Sequence, residues 1–140
     1  MRAVVQRVSS ASVSVDGERI AAIGPGLLVL LGVHGDDHDA GADRLASKLL
    51  ALRVFDDADG RMNHSVVETG GEILCVSQFT LYGDTSRGNR PSFLDAASPV
   101  IAERLYDRVC EALGAKRGRF GARMAVEAAG DGPVTLIVET

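Results

Sequence analysis

The chain has 140 residues, a length typical of one compact domain with a real hydrophobic core, so we expect a single domain covering residues 1–140. Its apolar fraction of 46% and charged fraction of 24% exclude a disordered chain, and its longest apolar run is too short to cross a membrane. The formal net charge of -4 argues against a protein that coats nucleic acid, because neutralising phosphates needs a positive surface.

The first third of the sequence predicts a β-hairpin, a central strand and a helix. Residues 2–23 alternate between apolar and polar on both sides of Asp16-Gly17, and Asp-Gly is a strong hairpin signal. Residues 27–33 are continuously apolar, which is typical of a strand buried on both faces. From Asp39 onward, apolar residues recur at helical spacing and predict a helix that ends before Val54.

The middle of the sequence predicts a turn, a strand and a loop. Residues 56–60 are turn formers, and we interpret them as a turn because residues 64–66 do not supply the closing Glu of a calcium loop. Residues 73–79 predict a second buried strand. The polar, glycine-punctuated segment 83–91 follows it, and a loop after a buried strand is a natural place for a functional site.

The last third predicts a helix and a closing hairpin. Ser98-Pro99 supplies an N-cap and a first helical position, and apolar residues then recur at helical spacing until Gly114. Strands are predicted at 124–128 and 134–138, joined by a turn at 130–133. This order predicts an α+β fold with two helices and a mixed or largely antiparallel sheet rolled into a barrel-like structure.

Cysteines and basic clusters give weaker signals. Cys75 and Cys110 lie in an apolar run and a helical pattern, so we interpret them as reduced core residues of a cytoplasmic protein. Residues 116–123 hold four cations and no acid, and Arg87 and Arg90 lie in another acid-free stretch. A solvated face is the simpler interpretation of such clusters, and a contact with one end of an RNA is the alternative.

Familiar cofactor and nucleophile motifs are missing. No glycine-rich loop stands between a strand and a helix, and His34, His38 and His64 lack metal-ligand spacing, so we expect neither a metal nor a nucleotide cofactor. No G-x-S-x-G elbow occurs, although a Ser-His-Asp triad assembled from distant residues stays open.

Two polar segments carry the strongest functional signal. Ser77-Gln78-Phe79-Thr80 ends a buried strand and Gly132-Pro133 lies in a predicted turn; each alone is explained by local structure. Together they resemble the two signature motifs of the D-aminoacyl-tRNA deacylase family. The resemblance runs from end to end and includes Gln6-Arg7-Val8, residues 26–33, Arg53-Val54-Phe55, Met62-Asn63, Arg90-Pro91-Ser92-Phe93 and Gly118-Arg119-Phe120. One departure is Gly130, where the family usually has Asn.

The resemblance implies an editing esterase that hydrolyses D-aminoacyl-tRNA at its acceptor end without metal or coenzyme. Ser77 to Thr80 would surround the ester, with backbone N–H groups as an oxyanion hole. Phe120 and Met124 would pack near the adenine. Gly132-Pro133, in the cis form and supported by Arg7, would reach from one subunit of a homodimer into the other's pocket. There it would reject L-amino acids and let glycyl-tRNA enter.

The implied chemistry is RNA-assisted, because Thr80 has no adjacent base to make it a nucleophile. In this hypothesis a ribose hydroxyl helps to activate the water, and the basic stretch 116–123 holds the acceptor end. Two alternatives stay open. One is a related deacylase with a trans Gly-Pro that accepts L-alanyl-tRNA, although the Ser-Gln-Phe-Thr spelling favours the D-specific enzyme. The other is a non-catalytic tRNA- or ribosome-associated binding domain.

Overall fold

The structure, a computed structural model, describes residues 1–140 and consists of a mixed sheet, a small hairpin and a few helices. The main sheet contains β1 (Arg2–Val15), β2 (Glu18–Ile23), β3 (Gly26–Gly32), β6 (Glu72–Ser77), β7 (Lys116–Arg117) and β8 (Ala125–Glu139). The small hairpin contains β4 (Phe55–Asp56) and β5 (Met62–His64). The helices are α1 (Asp39–Ala51), α2 (Val66–Thr69), α3 (Pro99–Leu113) and a 3-10 helix (Phe79–Tyr82).

The main sheet is nearly closed into a barrel. Its strand order is β2-β1-β3-β6-β7, with β8 paired to the other edge of β1. Pairs that involve β1 are antiparallel, while β3–β6 and β6–β7 are parallel. Lys116 Nζ on β7 donates to the carbonyl of Ala22 on β2 at 2.8 Å, so the two ends of the strand order meet. The prediction of an α+β fold with a mixed, barrel-like sheet is confirmed.

Two hydrophobic clusters fill the two faces of this sheet. The larger has 22 buried residues and packs α1 and α3 against one face, while the smaller has 7 and fills the other. β3 contributes to both, because Leu27, Val29 and Leu31 lie in the larger cluster and Leu28 lies in the smaller. This double burial explains the uninterrupted apolar run, and the prediction of a central strand is confirmed.

The predicted hairpin and the two predicted helices are also confirmed. Asp16 and Gly17 both have positive φ, 51° and 78°, as a two-residue turn between β1 and β2 requires. α1 ends at Ala51, ahead of Val54, and α3 runs from Pro99 to Leu113 and is capped by Gly114. None of the helices is both long enough and apolar enough to cross a membrane.

The prediction of a closing hairpin is wrong. Residues 125–139 form one strand, β8, that is antiparallel to β1 along its whole length. Val8 pairs with Gly130 and Gln6 pairs with Thr135, so four residues of β8 stand opposite the single residue Arg7. Residues 131–134 therefore form a bulge and do not reverse the chain, because β1 is long enough to pair with both halves of β8.

Other differences concern short elements around residues 55–82. The predicted strand 73–79 ends two residues early at Ser77, and the 3-10 helix takes up Phe79. α2 and the strands β4 and β5 were not predicted. The turn at 56–60 is confirmed: it joins β4 to β5, and the Asp57 carboxylate accepts the backbone N–H groups of Asp59 and Arg61 at 2.9 and 3.0 Å.

Candidate active site

A largely apolar cavity lies where β6 ends and the 3-10 helix begins. Its volume is about 540 Å³, and 11 of the 15 residues around it are hydrophobic. It brings together five of the sequence-predicted site residues: Ser77, Gln78, Phe79, Phe120 and Met124. The rest of its wall consists of Val33, Val76, Phe93, Ala96, Ala97, Pro99, Ala102, Gly121, Ala122 and Val126.

One wall is built by the chain as it leaves β6. The Gln78 N–H donates to the Leu31 carbonyl at 2.8 Å, which continues the parallel pairing of β6 with β3 by one residue. The chain then turns into the 3-10 helix and presents Phe79, whose side chain is 55% exposed. The ring of Phe93 meets Phe79 edge-on at a centroid distance of 5.0 Å. Two aromatic rings therefore stand at the mouth of the cavity.

Another wall is formed by the residues that follow β7. The Gly118 N–H donates to the Cys75 carbonyl at 3.1 Å and fixes this segment to β6. Phe120 lies 6.0 Å from the ring of the buried Tyr106. A Cβ atom on Gly118 would stand 2.7 Å from the Met124 sulfur, so glycine leaves room for Met124 to lie against the backbone. The core thus positions both Phe120 and Met124.

No titratable side chain lines this cavity. Thr80 lies outside the wall, and its hydroxyl is in a short contact with the donating side-chain amide of Gln78. His34 is the histidine nearest in the fold, but its Nδ1 accepts the Asp36 N–H at 3.0 Å and its ring packs edge-on against Tyr82 at 5.2 Å. The polar groups in the cavity wall are therefore neutral ones, the side chains of Ser77 and Gln78 and the backbone.

Two ionisable groups near the site, the buried Cys75 thiol and the half-buried Tyr82 hydroxyl, are held in their neutral forms. The contact with Cys110, together with complete burial, raises the pKa of the Cys75 thiol well above its usual value. Burial likewise raises the pKa of Tyr82 to about 12, with a smaller contribution from the Asp37 carboxylate. Neither group supplies a base or a nucleophile near neutral pH.

Gly132 and Pro133 stand apart from this cavity. They occupy the bulge of β8, the peptide bond between them is cis, and neither residue lines the cavity of its own chain. Gly132 has a φ of 123°, a conformation that favours glycine. Both residues are exposed.

Arg7 fixes the base of this bulge. Its side chain is only 9% exposed, and its Nε donates to the Asp131 carbonyl at 3.2 Å and lies 3.3 Å from the Asp131 carboxylate. Its Nη1 donates to the Val54 carbonyl at 2.7 Å and to Asp56 Oδ1 at 3.4 Å. The guanidinium group therefore ties the bulge to the segment that enters the β4–β5 hairpin.

Sequence reasoning missed the part of the wall between the 83–91 loop and α3. Phe93, Ala96 and Ala97 belong to an irregular segment with no hydrophobic period, which ends where α3 begins at Pro99. The Asp84–Ser92 bridge and the His34–Ala96 bridge hold this segment over the sheet. The available signal was Phe93, a large apolar residue in an otherwise polar stretch.

Comparison with known proteins places this arrangement in a class of deacylases. The family model described as D-Tyr-tRNA(Tyr) deacylase matches residues 4–139. A D-aminoacyl-tRNA deacylase of Opitutus terrae is 55% identical over the whole chain and 97% of its own length, and that of Myxococcus xanthus is 53% identical over the whole chain and 95% of its own. The chain therefore belongs to the D-Tyr-tRNA(Tyr) deacylase family, a family of enzymes.

Two solved structures share the fold of this chain. The structure titled c-Myc DNA Unwinding Element Binding Protein matches with a TM-score of 0.95 at 44% identity, over 100% of this chain and 99% of that one. A probable eukaryotic D-amino acid tRNA deacylase matches with a TM-score of 0.84 at 18% identity, over 99% of this chain and 98% of that one, and shows a shared fold.

Proposed function

We propose that this protein hydrolyses the ester bond that joins a D-amino acid to the terminal adenosine of a tRNA, releasing the free amino acid and the uncharged tRNA. The observation that carries this proposal is the single cavity onto which both Ser77 to Phe79 and the pair Phe120 and Met124 open. A volume of about 540 Å³ suits one nucleoside with its attached amino acid. Family membership supports the same substrate class.

Different walls of the cavity are suited to different parts of the substrate. Phe120 and Met124 offer apolar surface to the adenine, because a nucleobase stacks on such side chains without any sequence-specific hydrogen bond. The ester then lies against Ser77, Gln78 and Phe79. Of the backbone donors there, the Gln78 N–H is bonded to Leu31, so the N–H groups that begin the 3-10 helix, those of Phe79 and Thr80, serve as the oxyanion hole.

Hydrolysis is RNA-assisted in this proposal. A protein nucleophile needs a base beside it, and the partner of the Thr80 hydroxyl is the Gln78 amide, which is not a base. The ribose hydroxyl next to the ester is the remaining group that can help to activate water. Thr80→Val should therefore keep most of the single-turnover rate, whereas a substrate with a terminal 2′-deoxyadenosine should lose about 10²-fold or more. Complete loss in Thr80→Val, with full activity on the deoxy substrate, would restore Thr80 as the nucleophile.

Chirality selection is assigned to Gly132 and Pro133 acting across a homodimer. These residues are exposed and away from their own cavity, so they are free to enter that of a second copy. β8 carries exposed apolar side chains on a strand that pairs only with β1, including Val126, Leu136 and Ile137. Such an apolar strand is suited to an interface.

Backbone carbonyl oxygens in the bulge would stand where an L side chain must go, and they do not depend on a rotamer. An amino acid without a side chain cannot be excluded in this way, so glycyl-tRNA is a second substrate. Both reactions are placed in the cytoplasm, where tRNA is charged.

The test compares the two enantiomers on one tRNA. Purified protein should release D-tyrosine from D-tyrosyl-tRNA, leave L-tyrosyl-tRNA intact and release glycine from glycyl-tRNA. Equal rates on the two tyrosyl esters would defeat the chirality assignment. Selective release of L-alanine would identify the alternative deacylase, and binding of charged tRNA without release of any amino acid would identify a non-catalytic binding domain.

Subunit complementation tests the cross-subunit arrangement. A cavity variant, Phe79→Ala with Gln78→Ala, is mixed under exchange conditions with a bulge variant, Gly132→Ala with Pro133→Ala. If the bulge acts in trans, the mixed dimer contains one fully wild-type site and regains D-selective hydrolysis. As a control, a chain that carries all four changes is mixed with the bulge variant and should restore nothing. A monomer with full selective activity would contradict the arrangement.

A further inference from the structure

Four arginines in the two segments next to the cavity have no partner within the chain. Lys116 and Arg117 form ion pairs with Glu72 at 2.8 Å and with Asp107 at 3.1 Å, so half of the basic stretch 116–123 is already neutralised. Arg119 and Arg123 are exposed, and their guanidinium groups form no ion pair or hydrogen bond. Arg87 and Arg90 in the 84–92 loop are equally exposed and unpaired.

Both pairs are attached directly to the cavity walls. Arg119 and Arg123 are the sequence neighbours of the lining residues Phe120 and Met124, in a turn closed by the Ala122 N–H on the Arg119 carbonyl at 3.2 Å. The loop that carries Arg87 and Arg90 is closed by two hydrogen bonds between Asp84 and Ser92, at 2.8 and 2.9 Å.

That loop rejoins the cavity at its next residue. Phe93 lines the cavity and packs against Phe79. One arginine pair is therefore adjacent in sequence to Phe120 and Met124, and the other lies in the loop that ends at Phe93, so both belong to segments that line the same cavity.

The volume of the cavity indicates which part of the substrate lies near these arginines. About 540 Å³ holds one aminoacylated nucleoside, so every earlier nucleotide of the acceptor end lies outside the cavity. Each of those nucleotides carries one phosphate that an exposed arginine can bind in a two-pronged geometry. The protein as a whole is acidic, with a net charge of -4, so unpaired arginines at one opening create a local positive site and not a general affinity for RNA.

We propose that Arg87 and Arg90 in one of these segments, and Arg119 and Arg123 in the other, bind the backbone phosphates of the single-stranded nucleotides that precede the terminal adenosine. This inference rests on the proposed function. The arginines are positioning residues: they deliver the ester to the cavity and touch no reacting atom. Their contribution is therefore made equally in the ground state and the transition state, so it should appear in KM and not in kcat.

The test uses two double variants, R87A with R90A and R119A with R123A, and two substrates. With D-tyrosyl-tRNA, each double variant should raise KM roughly three- to tenfold and leave kcat unchanged. The slope of log(kcat/KM) against log salt should become shallower by about 1.4. Each double variant loses two phosphate contacts, and each contact on a single strand contributes about 0.7 to the slope. With 3′-O-D-tyrosyl-adenosine, which has no phosphate, both variants should match the wild type. That second substrate also reports whether the variants are folded.

The matched control is R44A with R61A, which removes two exposed, unpaired arginines on α1 and in the β4–β5 turn that do not line the cavity. It makes the same change in net charge. An equal rise in KM in the control would mean that the effect comes from the change in net charge and not from local phosphate contacts. Wild-type kinetics in both cavity-side variants would overturn the inference and leave the proposed function standing, whereas a wild type that cleaves neither substrate would defeat the proposed function itself.

Discussion

β3 and β8 are both antiparallel neighbours of β1, and they use that strand in opposite ways. β3 pairs with β1 residue for residue from Gly26 to Gly32 without a shift, and nearly all of its residues are buried. β8 pairs with β1 across two irregularities, and Val138 is its only buried residue.

The contrast shows where a sheet can carry a functional feature. Burial on both faces fixes the register of β3, because a slip by one residue would exchange the side chains that pack into the two clusters. β8 has no such constraint along most of its length, so extra residues can be inserted as a bulge without emptying the core. Gly132 and Pro133 lie in a strand with only one buried residue, so the bulge removes little from the core.

The first test removes the same kind of side chain from each of the two strands. Leu31 of β3 is fully buried in the larger core cluster, and Leu136 of β8 is 39% exposed. Leu31→Ala should lower the free energy of unfolding by about 2–5 kcal/mol. Leu136→Ala should change it by less than about 0.5 kcal/mol in the isolated subunit.

Urea titration at low protein concentration measures both values. Any larger effect of Leu136→Ala that grows with protein concentration would come from the proposed dimer. Equal losses in the two variants at the lowest concentration would show that β8 contributes to the subunit core as much as β3 does.

A second test removes the residue that connects β1 to the bulge. Arg7→Met keeps most of the side-chain volume but leaves the buried Val54 carbonyl without its donor and releases Asp131. We expect a loss of about 3 kcal/mol in unfolding free energy, at the upper end for an unsatisfied buried polar group. The discrimination between D- and L-tyrosyl-tRNA should fall as well, because the bulge is no longer held.

Arg19→Met, at an exposed position of β2, is the control, and it should alter neither quantity. If Arg7→Met lost stability but rejected the L ester as well as the wild type does, the position of the bulge would not depend on Arg7.

Elements defined by local pattern were predictable. Three local patterns each predict an element that is present. They are the alternation around Asp16-Gly17, the continuous apolar run of β3 and the helical spacing between the caps of α3. β8 shows the limit of local pattern. Gly130 to Pro133 has the composition of a turn, but whether the chain reverses there depends on β1 being long enough to pair with both flanking halves, which is a long-range property.

The candidate site also has a part that could be predicted from the sequence and a part that could not. Ser77 to Phe79, Phe120 and Met124 were predicted from the family resemblance and lie together in the cavity. Sequence alone does not distinguish an arginine that forms an ion pair with an acidic side chain from an arginine that has no such partner. Arg117 and Arg119 look alike in the sequence, yet only Arg117 has an acidic partner, Asp107, ten residues earlier on α3.

Two glycines of β8 have different surroundings, although they lie close together in the same strand. Gly132 has a φ of 123°, and a Cβ atom there would lie 2.9 Å from Val134 Cγ2 and 3.0 Å from the Val134 nitrogen. Gly132→Ala should therefore cost about 1–2 kcal/mol and displace the bulge. Its main effect should be a loss of L-tyrosyl-tRNA rejection, measured as the ratio of kcat/KM for the two enantiomers. An unchanged ratio would remove the bulge from chirality selection.

Gly130 should give the smallest effect, although it lies only two residues away. Its φ is not in the left-handed region, and a Cβ atom there would meet nothing within 4 Å. Gly130→Asn, which introduces the residue usual in the family, should shift the free energy of unfolding by less than about 0.5 kcal/mol and leave the D/L ratio unchanged. A large gain in selectivity would mean that the Asn side chain makes a contact in the dimer, because the space around Gly130 within one subunit offers it none.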